Sequence, residues 1–384
     1  MPNILTLNKI AKTGTDLFDK NKYNISDEQA KPEAILLRSA SMHEMELPIT
    51  LKAIARAGAG TNNIPIEKCT EKGIVVFNTP GANANAVKEL VVAAIFLSSR
   101  NITDGINWAQ NLTNDDVAKQ VEKGKSAFAG PEIHGKTLGV IGLGAIGMLV
   151  ANTALLLGMN VIGFDPYLTV DSAWRLDTNV KKADNINEIY EKSDYISLHV
   201  PLSDKTKGMI NNEVLATTKK GVRIINFSRA GLVDEASIIE ATENDSVACY
   251  ITDFPTPNIL GKKSIIPIPH LGASTPESEE NCAKMASQQL IDYLENGNIK
   301  NSVNFPNCNL ERCGNQRICV AHDNIPNMIG QISTILAKNN INIKEMINKS
   351  RDKIAYTIID IEGGINGCES KIMEIDAVKV IRVL

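Results

Sequence analysis

The chain has few aromatic residues, 4% of 384, and no run of about eighteen apolar residues, so no membrane-spanning helix is expected. Net charge is only −4, with both signs interspersed. No Lys/Arg run or aromatic–basic stripe marks a nucleic acid-binding face. Cysteine is sparse and odd in number, seven thiols in all, which argues against a disulfide framework. Cys308, Cys313 and Cys319 cluster, but their spacing is not the CxxC of a zinc site, and no metal is expected. The opening Met1-Pro-Asn-Ile-Leu-Thr6 lacks the basic region and apolar stretch of a signal peptide. Together these absences lead to the expectation of a cytoplasmic protein without membrane or nucleic acid partners. The length allows about two or three domains, and an apolar fraction of 43% is enough to fill their cores.

What is present is a dinucleotide signature. Thr137-Leu-Gly-Val-Ile-Gly-Leu-Gly-Ala-Ile-Gly147 reads as an apolar strand running into Gly142, Gly144 and Gly147 with GxGxxG spacing. Gly142 permits the tight turn, Gly144 lets the backbone approach a pyrophosphate, and Gly147 lets the next helix pack closely on the sheet. The helix N-terminus at Ala145 and Ile146 offers free N–H groups and a positive dipole end. Asp165 follows about twenty residues later, at the end of a second apolar run. There it would accept from both ribose hydroxyls and repel a 2′-phosphate, which favours NAD over NADP.

Strands and helices alternate through much of the chain. Ala34–Leu37, Leu51–Ile54 and Ile74–Phe77 read as buried parallel strands or adjoining elements, and Val87–Arg100 as a long helix leading into the next domain. From about 99 to 271, candidate strands at Asn160–Phe164, Tyr195–His199, Val222–Phe227, Val247–Ile251 and Ile265–Ile268 imply a doubly wound parallel sheet. Residues 272 to 305 read as helical, with Gly297 a stop, and the polar stretch from Asn298 to Arg317 as a linker. From 317 to 384 the order is β-α-β-β-α-β, the ferredoxin-like arrangement.

Ligands meet a doubly wound sheet at the carboxyl ends of its strands. Arg229 directly follows one such strand, where a planar guanidinium can hold a carboxylate and a reacting oxygen together; pairing with a local acid such as Asp234 is the other reading. His270, in Pro269-His-Leu-Gly-Ala273, follows another and suits proton transfer near neutral pH, or else serves as a hydrogen-bonded structural histidine. His199 reads as structural. Arg38 ends a strand, and Arg56-Ala-Gly-Ala-Gly-Thr-Asn62 could form an anion nest, or be ordinary loop punctuation with solvated arginines.

The segments Arg38–Ala40, Arg56–Asn62, Phe77–Pro80, Gly139–Gly147, His199–Pro201, Asn226–Asp234 and Pro269–Thr275 together resemble the D-2-hydroxyacid dehydrogenases over essentially the whole chain. The terminal region resembles an ACT domain, an addition most relatives lack and one that points to the branch acting on phosphoglycerate. The resemblance implies an α/β protein whose Rossmann domain, 99–271, is inserted in a flavodoxin-like substrate domain, 1–98 with 272–305. A linker, 306–316, and an ACT domain, 317–384, follow. It implies an active site in the cleft between the first two, NAD as cofactor, and oxidation of D-3-phosphoglycerate to 3-phosphohydroxypyruvate at the head of L-serine biosynthesis. His270 would be the acid/base and Arg229 the clamp. Gly58 and Ala59 would hold the carboxylate, and Arg38, Arg56 and Asn83 the phosphate end. The cofactor bed would add His199, Val200, Pro201, Thr206, Phe227, Ser228, Asp253, Gly272 and Ala273. In the ACT region His322, Asn324 and Asn342 would bind L-serine between two copies, which requires a homodimer or homotetramer.

One departure stands out. The family's glutamate, which orients the histidine, falls on Pro257 in Ile251-Thr-Asp-Phe-Pro-Thr-Pro257. Asp253 or Glu89 is expected to take its place. Lys88, where the family has alanine, reads as an added cation or a solvated helix residue. Two other functions remain open: another 2-hydroxyacid dehydrogenase of the glyoxylate or lactate type, and a catalytically weak NAD-binding regulator.

Overall fold

In the computed structural model, which describes residues 1–113, 116–365 and 367–384, the chain divides into two compact units. One comprises Met1–Asn83 with Pro276–Leu384, the other Ala84–Thr275.

The first unit opens with five strands: β1 (Asn3–Leu7), β2 (Asn24–Ser26), β3 (Ala34–Leu37), β4 (Ala53–Arg56) and β5 (Val75–Phe77). They pair in parallel in the order β2-β1-β3-β4-β5, the flavodoxin-like doubly wound order. All four residues of β3 are buried, as an unbroken apolar run in a doubly covered parallel strand requires. β4 begins two residues later than the apolar run at Leu51 suggests. Leu51 instead closes a turn, with its N–H on Pro48 O at 3.0 Å, and the shift carries Arg56 to the carboxyl edge of the sheet.

The second unit holds seven strands: β6 (Thr137–Ile141), β7 (Asn160–Phe164), β8 (Lys181–Lys182), β9 (Tyr195–Leu198), β10 (Val222–Asn226), β11 (Val247–Thr252) and β12 (Ile265–Pro267). Among the described residues they form one parallel sheet ordered β12-β11-β10-β9-β6-β7-β8. The winding reverses at β6, so the crevice for a ligand lies beyond the carboxyl ends of β6 and β9. The helix Ala84–Arg100 belongs here from its first turn. Val87, Val91, Ala94 and Ile95 recur at helical spacing and share a core with Leu138, Val140, Ile225 and Ile251. The division therefore falls ahead of this helix, at Asn83, not at its end near 98.

The chain re-enters the first unit at the helix Pro276–Asn296. The stretch beyond it, polar in composition, is packed: Ile299, Phe305, Cys308 and Leu310 are buried, and Ile299 and Cys308 exchange backbone hydrogen bonds of 2.8 and 2.9 Å. Four apolar residues scattered among asparagines carry no period, so the composition alone reads as a linker. Then come β13 (Gln316–Asp323), the helix Met328–Lys338, β14 (Asn342–Arg351), β15 (Ile354–Glu362), the helix Cys368–Met373 and β16 (Val378–Val383). The four strands form an antiparallel sheet ordered β14-β15-β13-β16, the ferredoxin-like arrangement.

One face of this sheet packs under its own helices, Ile318 and Ile359 against Ile332 and Ile372. The other, with Cys319, Ala321, Tyr356 and Ile358, shares a core with Phe77, Tyr293 and Phe305. Two buried arginines fasten the contact. Arg317 grips Asp360 with two bonds of 2.6 and 2.8 Å and donates to Asn296 O and Leu310 O at 2.9 Å. Arg382 lies over the Tyr293 ring, 4.3 Å from its centroid, and donates to Tyr293 O and Leu294 O. They take up the last carbonyls of a helix with no basic residue in its own final turn. Among the described residues no helix is long and apolar enough to cross a membrane.

Candidate active site

At the switch point each motif glycine has a distinct steric reason. Gly142 sits at φ 90°, and a Cβ there would lie 2.5 Å from His199 O. Only glycine adopts that turn against a neighbouring strand end without strain. A Cβ on Gly147 would overlap Gly142 O, whereas one on Gly144 meets nothing within 4 Å. Gly144 is therefore not glycine for the fold's own packing. It lines open space at the start of the helix Ala145–Leu156, where the first turn of N–H groups has no intrahelical acceptor. Asp165, after β7, accepts from Leu143 N and Tyr167 N, each at 2.8 Å and each on a different oxygen. One acceptor position per oxygen remains. Open space, an anion-attracting helix end and a held carboxylate fit a dinucleotide.

Beyond β9, the ring of His199 bonds Ser197 Oγ at 2.8 Å, and burial lowers its pKa to about 4. It is neutral at pH 7 and closes the turn beside Gly142. Thr206 Oγ1 donates to Pro201 O at 2.6 Å and fixes that loop. Beyond β10, Phe227 is buried and Ser228 Oγ donates to Leu198 O at 2.7 Å. Asn226, whose role sequence reasoning missed, is buried and braces this turn. Its Nδ2 donates to Arg229 O at 3.0 Å and its Oδ1 accepts from Ser228 N at 3.2 Å. Its place within the Asn226–Asp234 motif was the available signal. Arg229 is exposed, and among the described residues it has no ion pair. Asp234 instead caps the helix Glu235–Glu243, accepting from Ser237 N and Oγ.

The ends of β11 and β12 bring Asp253 and His270 together. Asp253 is 1% exposed and His270 68%, with Nδ1 and Oδ2 3.7 Å apart. Phe254 meets the imidazole edge-on, ring centroids 5.1 Å apart. Burial raises the Asp253 carboxyl above its usual range, with the neighbouring His270 and Arg229 charges opposing it. Gly272 is buried and Ala273 half-buried in the same loop. Glu89 is engaged elsewhere, by Asn85 at 2.8 Å and Lys88 at 3.7 Å.

In the first unit Arg56 Nε donates to Arg38 O at 2.9 Å, and Gly58 O accepts from Thr79 N at 3.1 Å. Asn78 Nδ2 holds Ala59 O at 2.6 Å. The N–H groups of Ala59 and Gly60 have no acceptor among the described residues, which leaves a small anion-seeking turn. Asn83 is half-buried, one residue before the helix. Arg38 pairs with Glu279 at 2.7 Å, a partner without a sequence signal because it lies more than two hundred residues away.

The three residues expected at the effector site are not brought together within one chain. His322 is buried with both ring nitrogens engaged, by Asp323 O at 2.8 Å and Thr357 Oγ1 at 2.9 Å. Asn324 donates to Asp352 O at one end of the β14–β15 hairpin. Asn342 donates to Glu362 at the other end, where the two strands' registers begin and finish.

Residues 92–272 match the family described as D-isomer specific 2-hydroxyacid dehydrogenase, NAD binding domain. The chain is 36% identical over 300 residues to a D-3-phosphoglycerate dehydrogenase of Bacillus subtilis, covering 76% of this chain and 55% of that one. To the D-3-phosphoglycerate dehydrogenase of Haemophilus influenzae it is 32% identical over 338 residues, covering 85% and 79%. It thus spans about half the length of the former and most of the latter. Among solved structures, an NAD+-bound 3-phosphoglycerate dehydrogenase of Entamoeba histolytica superposes with a TM-score of 0.61 at 27% identity. That match covers 79% of this chain and 98% of the other.

Proposed function

Because the chain belongs to the D-isomer-specific 2-hydroxyacid dehydrogenases, we propose that it oxidises D-3-phosphoglycerate to 3-phosphohydroxypyruvate with NAD, as a cytoplasmic enzyme opening L-serine biosynthesis. The observation that carries this reading is the line of residues along one sheet edge: the glycine turn after β6, Asp165 after β7, Arg229 after β10, Asp253 after β11 and His270 after β12.

Gly142, Gly144 and Gly147 with the N–H groups at Ala145 and Ile146 would hold the pyrophosphate, and Asp165 the ribose. His199, Val200, Pro201, Thr206, Phe227, Ser228, Gly272 and Ala273 would form the rest of the bed. When bound, NAD supplies the acceptor for the hydride from C2. Neutral His270 accepts the C2 hydroxyl proton, and Arg229, without an ion pair among the described residues, holds the carboxylate and the C2 oxygen as charge develops. The turn at Gly58 and Ala59 holds the carboxylate, and Arg38, Arg56 and Asn83 take the phosphate end. The Glu279 carboxylate on Arg38 favours a second reading, a 2-hydroxy acid without phosphate, because it already neutralises one of the two cations.

NADH formation from D-3-phosphoglycerate, glyoxylate's reduced form and D-lactate separates the readings. Turnover confined to phosphoglycerate supports the first, and turnover confined to the others replaces it. L-Serine in the same assay tests the terminal module. Asn324 and Asn342 lie at opposite ends of one hairpin, so a ligand touching both would bridge two copies, and suppression should disappear in Asn324→Ala. Gly144→Ala is expected to leave the melting temperature unchanged and weaken NAD binding at least about tenfold, roughly 1.4 kcal/mol. Calorimetric titration reads this directly.

A further inference from the structure

Asp253 is an exceptional carboxylate in this fold. Both of its oxygens are buried and neither makes a well-formed hydrogen bond among the described residues, although the backbone N–H groups of Asp253 itself and of Gly272 lean toward the carboxylate and favour its ionised form. A carboxylate so placed is costly to keep ionised unless a donor reaches it. The side-chain donor at hand is His270, whose Nδ1 faces Oδ2 at 3.7 Å. That is longer than a formed hydrogen bond, but sites without substrate commonly hold catalytic bonds long and tighten them on binding. Phe254 packs against the ring at 68° and helps to aim it. The other expected substitute, Glu89, is held by Asn85 and Lys88, and Pro257 has no side-chain acceptor.

We propose that Asp253 is the positioning residue of this site, accepting the Nδ1–H of His270 and so fixing the tautomer whose Nε2 is free to take the substrate's proton. The proposal rests on the oxidation reading above and deepens it. The charged and titratable groups on the elements packed here are few. Arg229 at the end of β10 favours the ionised carboxylate. Tyr250 on β11 has its hydroxyl pushed up by burial, with Glu235 near it. Lys88 and Glu89 pair with each other on the helix that meets the loop through Val87. Asp253 is the one acid among them in ion-pair range of His270.

The test follows ring-15N-labelled histidines, five in the chain, by NMR through a pH titration of the full-length protein. His270 is assigned by its loss in His270→Asn. In the parent, neutral His270 should carry its proton on Nδ1. In Asp253→Asn that preference should vanish, because the acceptor that selects the Nδ1–H tautomer is weakened. Glu89→Gln should leave it unchanged. A parent ring protonated on Nε2, or a tautomer preference unchanged in Asp253→Asn, overturns the assignment. Should Asp253→Asn fail to fold, the parent's tautomer decides alone. None of these readouts needs turnover, so failure of the phosphoglycerate reading would appear separately, in the substrate assay.

Discussion

His270→Asn is expected to lower kcat about 10³-fold, inside the range of roughly 10²–10⁴ for a positioned acid–base group, with little change in NAD affinity. The asymmetry follows from where the side chain stands. His270 is mostly exposed beyond the end of β12, so its removal leaves no cavity in the core. The dinucleotide turn it would cooperate with is built from β6, β7 and β9. The loss is therefore confined to proton transfer. A pre-steady-state burst would separate it from product release, and a fall of tenfold or less would remove His270 from the chemistry. Arg229→Met should differ, raising KM as well as lowering kcat, because a carboxylate clamp works in the ground state and the transition state alike.

Arg317→Met should cost about 3–5 kcal/mol, the range for removing one partner of a buried ion pair. Both side chains are fully buried, and the variant would strand the Asp360 carboxylate along with the carbonyls of Asn296 and Leu310. Adding Asp360→Leu should recover most of the loss, since well-packed apolar residues often replace such pairs at little cost. The pair also predicts an acid transition. Burial raises the Asp360 carboxyl, but its bonds from Arg317 and Cys313 outweigh that and bring it to about 2. A carboxyl depressed in the folded state contributes stability that is complete above the unfolded value near 4 and fades as pH falls toward 2. Urea unfolding between pH 5 and 2 would show the decline in the parent and a flatter profile in the double variant.

The sequence was most legible where the signal is local and periodic. The glycine turn, the apolar run of β3 and the helical stripe from Val87 need only neighbouring residues to be recognised, and the terminal β-α-β-β-α-β order follows from alternating runs. Legibility failed where meaning depends on partners distant in the chain. Ile299, Phe305 and Cys308 pass for linker residues until the terminal sheet closes over them. Arg38 looks like a free cation until Glu279 reaches it. Lys181–Lys182 form a strand only because β7 pairs with them. Asp253 could be named as a substitute for the missing glutamate, but only the burial of both its oxygens and its 3.7 Å approach to His270 set it apart from Glu89.

The shared core beneath Tyr293 and Tyr356 changes how the first unit can breathe. A terminal sheet hung on a loose tether would exchange its amides through its own local openings. Here β15 is buried on both faces and shares its packing with the residues that hold Phe77, so strands at both ends of the unit should surrender their protection in one rare event. Any molecule that binds the terminal sheet then adds its binding free energy to the stability of the whole unit, including the turn after β4 where Arg56 is held.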